Sequence, residues 1–139
     1  MRIICDTHIP LFWAHAPSRL SASAAAALEQ GRQEGQLAIA DISRWELALL
    51  IDRGRLQLPD DVSPVDDLSR LLQALRLQVL PITADIAVLS RSPLFQHGDP
   101  AERLIAATAL QAGWPLISAD QKLRALPELH GIWSPLLPA

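Results

Sequence analysis

The sequence predicts an α/β protein with a mainly parallel sheet and helices on both faces. Short apolar runs, several of them β-branched, recur along the chain. Segments with helical spacing and clear start signals separate them. Strands alternating with helices in this way imply a mainly parallel sheet. The chain has 139 residues, half of them apolar, enough for one core, and the expectation is a single domain over residues 1–139.

Residues 2–5 read as a buried strand that stops at Asp6-Thr7-His8. Residues 9–14 read as a short helix with Leu11, Phe12 and Trp13 exposed or packed on a partner, broken by Pro17-Ser18. Ser21 and Ser23 can start a second helix through residues 24–30, which Gly31 and Gly35 end. Residues 36–40 form the second strand, and a helix follows in which Ser43 and Glu46 stand three apart, as in a capping box. Gly54 ends that helix, Leu56-Gln57-Leu58 is a short extended piece, and residues 64–75 form a helix with Leu68, Leu71, Leu72 and Leu75 on one side.

Residues 78–82 are a third strand, and Thr83 caps the helix over 84–90. A loop leads to Asp99-Pro100, where an N-cap aspartate and a proline at the first helical position force a start. Glu102 stands three residues after Asp99, again with capping-box spacing, and Gly113 closes the helix. Residues 114–118 are a fourth strand ending at Asp120, residues 121–126 a short helix, residues 131–133 an edge strand, and residues 134–139 an irregular tail.

Composition removes several classes. Nothing approaches the roughly 18 apolar residues of a membrane span, and Met1 to Asp6 does not read as a signal peptide. Cys5 is the sole cysteine, so no internal disulfide exists; it reads as a small buried strand residue, and a cytoplasmic location is expected. The net charge of −3 argues against a large basic surface. Setting aside Asp6, Glu46, Asp99, Glu102 and Asp120 leaves twelve basic against ten acidic residues, a balance close to neutral.

Those five acids are set aside for a reason. Asp6 and Asp120 lie at or just past strand ends, and Glu46, Asp99 and Glu102 lie at helix starts. In a parallel sheet these places share one edge, the edge where such sheets bind ligands. Carboxylates about 5 Å apart repel by roughly 3 kcal/mol per pair at an effective dielectric near 20, so the cluster calls for protons or a cation. Oxygen donors without cysteine point to Mg2+ or Mn2+. Each acid also has a local explanation as a turn residue or helix cap; the conjunction is what argues for a site.

The segments Ile3-Ile4-Cys5-Asp6-Thr7-His8, Ser43-Arg44-Trp45-Glu46-Leu47-Ala48, His97-Gly98-Asp99-Pro100-Ala101-Glu102-Arg103-Leu104-Ile105-Ala106-Ala107 and Leu116-Ile117-Ser118-Ala119-Asp120 occur in one order along the chain. With this order and spacing the sequence resembles the PIN-domain ribonucleases, specifically the VapC-type toxins of toxin–antitoxin pairs. The resemblance implies a PIN-like three-layer α/β/α sandwich and Mg2+- or Mn2+-dependent cleavage of RNA. It implies a catalytic, metal-binding quartet of Asp6, Glu46, Glu102 and Asp120. The family pattern Asp-Pro-x-Asp-Arg has Asp where this chain has Glu102, one methylene longer. Asp99 matches the other acid of that pattern, as a metal-site residue or a cap.

Thr7 and Ser118 would support the carboxylates, and Arg44 would contact substrate phosphate or pair with a neighbouring acid. Arg103 is expected in an ion pair with adjacent acids. His8 and His97 are expected to be structural, and His15 and His130 have no evident role. The resemblance also implies a homodimer and a cognate VapB-type antitoxin, with Leu11, Phe12, Trp13, Trp45, Leu49 and Leu50 available for those contacts. Two other readings stay open: a non-catalytic PIN-like interaction module, and a phosphotransferase with Asp6 as nucleophile. The latter lacks the second acid two residues on, where this chain has His8.

Overall fold

The computed structural model describes residues 2–56, 58–96 and 98–134. The expectations for Gln57, His97 and the tail beyond Ser134 lie outside them. Five strands, β1 (Ile3–Cys5), β2 (Leu37–Ala40), β3 (Gln78–Leu80), β4 (Leu116–Ile117) and β5 (Gly131–Ile132), form one sheet in the order β3-β2-β1-β4-β5. Every pairing is parallel, with Ile4 opposite both Ala38 and Leu116. The chain leaves β1 toward one edge and later returns to its other side. The β1/β4 boundary is therefore the topological switch point.

Alternation along the strands sorts the core into two layers. On one face Ile3, Cys5, Leu37 and Ile117 pack with Ile9 and Phe12 of α1 (His8–His15) and Ala24 and Leu28 of α2 (Ala22–Glu34). A satellite cluster of Ile39, Leu47 and Leu71 joins α3 (Asp41–Asp52) to α4 (Pro64–Ala74). On the other face Ile4, Ala38, Ala40 and Leu116 meet Ile86 of α5 (Ala84–Leu89) and Ile105, Ala106 and Ala109 of α6 (Pro100–Ala112). Leu123 of α7 (Gln121–Arg124) closes that layer. This is the expected three-layer sandwich.

The cap signals act as read at Ser21, Thr83 and Asp99, each of which accepts a backbone N–H from the first turn of the helix it precedes. Ser63 does the same for α4, a cap that the sequence reading did not name. Three local expectations are corrected. Gly31 does not end α2 but lies inside it, fully packed: a Cβ there would meet Leu37 Cδ2 at 2.5 Å. The glycine lets the helix press on β2, and Gly35, at φ +66°, is the residue that stops it. Second, α3 starts at Asp41, straight out of β2, so Ser43 and Glu46 lie within the helix and make no capping box. Third, Phe12 is buried in the core, and Leu11 and Trp13 pack against this chain's own Leu47–Leu71 cluster rather than standing free. Trp45 does remain exposed, at 59%.

Candidate active site

Asp6 follows the last residue of β1 and turns into α1. Its carboxylate is held on both oxygens. Oδ1 accepts the Thr7 N–H at 2.8 Å, and Oδ2 accepts the Ser118 hydroxyl at 2.7 Å. Ser118 follows β4, the strand next to β1, and its Oγ also accepts the Asp120 N–H at 3.0 Å. One hydroxyl thus ties Asp6 to the segment carrying Asp120. Asp120 in turn caps α7, its Oδ1 accepting from Lys122 and Leu123.

A second chain of hydroxyls fixes Glu46. Thr7 and Ser43 are completely buried, so their hydroxyls need partners inside the protein. Thr7 Oγ1 donates to Glu46 Oε1. A hydroxyl has one hydrogen, so in the 2.8 Å contact between Thr7 Oγ1 and Ser43 Oγ it is Ser43 that donates. Ser43 and Glu46 share a face of α3, three residues apart, and α3 leaves β2 beside Thr7. The three-residue spacing was visible in the sequence, but it reports a shared helix face rather than a cap. Ser43 as a positioning residue was missed for that reason.

The acids converge. Ligand atoms of Glu46, Asp99 and Glu102 lie within 4.8 Å of one another. Asp6, Glu102 and Asp120 line a common cleft of about 320 Å³ with His8, Ile9, Phe12, Arg19 and Ala119. Glu102 belongs to both groups. Asp99 has a double position: its Oδ1 accepts the Ala101 N–H at 2.9 Å, and one of its oxygens belongs to the acid trio.

Glu102 does not make the capping contact its spacing suggests. Its Oε2 is buried without a hydrogen-bond partner. Burial, and then the charges of Asp6, Glu46, Asp120 and Asp99, push its carboxyl up to about 9. Burial also raises Asp6, against the lowering bonds from Ser118 and Thr7. Glu46 is raised chiefly by burial, with the Thr7 bond opposing. All three shifts say the same thing: the protein holds more negative charge here than it can stabilise alone. A hard divalent cation would relieve it. The donor set fits, because the trio offers only carboxylate oxygens, and Glu102, which belongs to it, carries an oxygen, Oε2, that has no hydrogen-bond partner.

Not every candidate reaches the site. Arg44 is bound to Asp41, its Nε and Nη2 donating at 2.8 and 2.6 Å, and it does not line the cleft. Asp41 is the first residue of α3 and holds that arginine. Arg103 donates to the carbonyls of Ser90, Phe95 and Ser92, so it braces the loop before α6 from within. His8 lies at the cleft with its ring 6.0 Å from that of Phe12. Cys5 is buried and its thiol is pushed up to about 12, mainly by burial, so it is chemically quiet.

The same architecture occurs in known proteins. The PIN domain model matches residues 3–129. Ribonuclease VapC22 of Mycobacterium tuberculosis (strain ATCC 25618 / H37Rv) is 38% identical over 125 residues, spanning 88% of this chain and 90% of that protein. Among solved structures, VapBC2 from Rickettsia felis bound to a promoter DNA fragment aligns with a TM-score of 0.72 at 20% identity. It covers 96% of this chain and all of the other. FitAcB from Neisseria gonorrhoeae aligns with a TM-score of 0.65 at 22% identity, over 94% and 96% of the two chains. The structural likenesses speak for the fold alone. Together with the family model and the mycobacterial relative, they complete the argument from strand order and acid placement: this chain belongs to the PIN-domain family.

Proposed function

We propose that this protein is a VapC-type ribonuclease, the toxin of a toxin–antitoxin pair, and that it hydrolyses RNA phosphodiester bonds with a divalent cation. The observation that carries the reading is the convergence of five acids at the carboxyl edge of the sheet around an unpartnered Glu102 oxygen. The mycobacterial relative bears the name of a ribonuclease, and the cluster of carboxylates is a site that a divalent cation would fit. Asp6, Glu46, Glu102 and Asp120 would hold Mg2+ or Mn2+, with Asp99 beside them. The bound ion would supply Lewis acidity toward water and the scissile phosphate.

The chain's own contribution is pre-organisation. Thr7 N–H and the Ser118 hydroxyl leave Asp6 little rotational freedom. The Ser43–Thr7 pair delivers one proton donor to Glu46 and keeps the other Glu46 oxygen available. Holding ligands this way before substrate arrives lowers the reorganisation needed in the transition state. The net reaction adds one water across one P–O bond.

The partners follow from the same reading: RNA as substrate, a VapB-type antitoxin as inhibitor and a second copy of the chain as a homodimer. The VapC name of the mycobacterial relative is what brings the antitoxin into this reading, and a toxin–antitoxin complex from Klebsiella pneumoniae shares the fold. Exposed Trp45, with Leu49 one turn further along α3, is apolar surface open to such contacts. The protein works as a single PIN domain over residues 1–139, in the cytoplasm. No helix among the described residues is long and apolar enough to cross a membrane.

The test is cleavage of total cellular RNA by purified protein with Mg2+, with Mn2+ and in EDTA, beside Asp6→Asn. Discrete, metal-dependent products that Asp6→Asn abolishes are expected. Folded, antitoxin-free protein that cleaves no RNA pool under any of these conditions would turn the reading to a non-catalytic interaction module.

A further inference from the structure

We propose that Arg19 is the side chain that anchors a backbone phosphate of the RNA substrate at the rim of the acid-lined cleft. The inference rests on the ribonuclease reading and adds to it the group that receives the polyanion.

The need comes from charge. A strand of RNA must approach a cleft edged by Asp6, Glu102 and Asp120, with Glu46 and Asp99 close by. A cation held among the acids serves the scissile phosphate, but the neighbouring phosphates still face carboxylates. A fixed positive group on the rim would offset that repulsion and set the strand's register. The sequence offered Arg44 for this task, and the structure commits Arg44 to Asp41. Arg103 is directed to the backbone of the preceding loop.

Arg19 meets each requirement. Among the described residues that line the cleft it is the only lysine or arginine. It belongs to a 3-10 turn, Pro17–Arg19, between α1 and α2, which carries it to the side of the cleft formed by α1. Its guanidinium lies over the Phe12 ring, 4.4 Å from the centroid. Among the described residues it makes no ion pair and no side-chain hydrogen bond. Phe12 is itself buried in the core with Ile9, so the ring is a rigid shelf. A cation resting on an aromatic face keeps its edge free, and the edge of a guanidinium carries the N–H fork that suits phosphate. The arginine is therefore positioned without its donors being consumed, as expected of a ligand-binding group and unusual for a purely structural one.

The experiment uses full-length protein with a short single-stranded RNA that the wild type cleaves, and the same RNA bound to the Asp6→Asn protein. Arg19→Ala should raise KM and the Kd of the non-cleaving protein roughly tenfold, as for loss of one charge-assisted contact. It should leave kcat within about twofold and Mn2+ affinity unchanged, because the contact is made in ground and transition states alike. The slope of log Kd against log salt should fall by about 0.7, the value for one phosphate on a single strand. Arg19→Lys keeps the charge and loses the fork, and should lie between the two.

Wild-type cleavage with an Arg19→Ala protein whose KM, Kd and salt slope all match wild type would overturn the proposal and leave the ribonuclease standing. RNA that binds the wild type through Arg19 without being cut would sustain the anchor and refute the ribonuclease. A lowered kcat at unchanged KM would overturn the anchor in favour of a role at the reacting phosphate.

Discussion

Replacing Glu102 with Gln removes one charge and almost no volume, and the structure says what should follow. Glu102 lies within 4.8 Å, ligand atom to ligand atom, of Glu46 and Asp99. At that distance and an effective dielectric of 20, each ionised pair repels by about 3.5 kcal/mol. Glu102 is only partly buried, so water and salt screen much of this, and a net gain of about 1–2 kcal/mol for the variant is the reasonable figure. The sign depends on pH. Below the ordinary glutamate value of 4.5 the group is neutral folded and unfolded, and Gln should match Glu. As pH rises the unfolded chain ionises first, while the folded protein keeps its proton until about 9. Wild type therefore loses stability across that window, and Glu102→Gln should lose less.

Urea unfolding in EDTA from about pH 5 to pH 9 measures the difference directly. Saturating Mn2+ should then reverse the order, because the wild type gains by binding the ion and the variant, lacking one donor, gains less. Two curves that run parallel in EDTA across the whole range would show that the acids do not strain one another. Equal stabilisation of both proteins by Mn2+ would remove Glu102 from the metal site.

Three further outcomes follow from particular contacts. Ser43→Ala strips the donor from buried Thr7 Oγ1 and should cost about 1 kcal/mol in stability with a severalfold loss of kcat, which kinetics and urea titration read together; Ser43→Thr should restore part of the rate. Gly31→Ala puts a Cβ 2.5 Å from Leu37 Cδ2, and should destabilise by about 1–3 kcal/mol despite the better helix propensity of alanine. A stabilised Gly31→Ala protein in chemical denaturation would mean that α2 does not press on β2 as described. Arg44→Ala should change RNA affinity less than twofold in a filter-binding or fluorescence assay, its guanidinium being engaged by Asp41.

The sequence by itself determined what depends on near neighbours along the chain. The strand–helix alternation and the caps at Ser21, Thr83 and Asp99 rest on side chains that act within three residues, so the residues in question sit next to one another along the chain. The five acids were legible for a related reason, since a parallel sheet sends every strand's carboxyl end to one edge whatever the strand order. Contact between distant elements was decided only by the tertiary structure. Ser43 reads as a cap until β2 is seen running directly into α3, which turns its hydroxyl toward Thr7. Gly31 reads as a helix stop until Leu37 is found against it. Glu102 reads as a capping-box partner until its oxygen is found buried among other carboxylates, and Arg19 carries no local signal at all. The reason is common to these cases. Periodicity and capping encode which way a side chain faces on its own element, but the order β3-β2-β1-β4-β5 decides which other element it meets there.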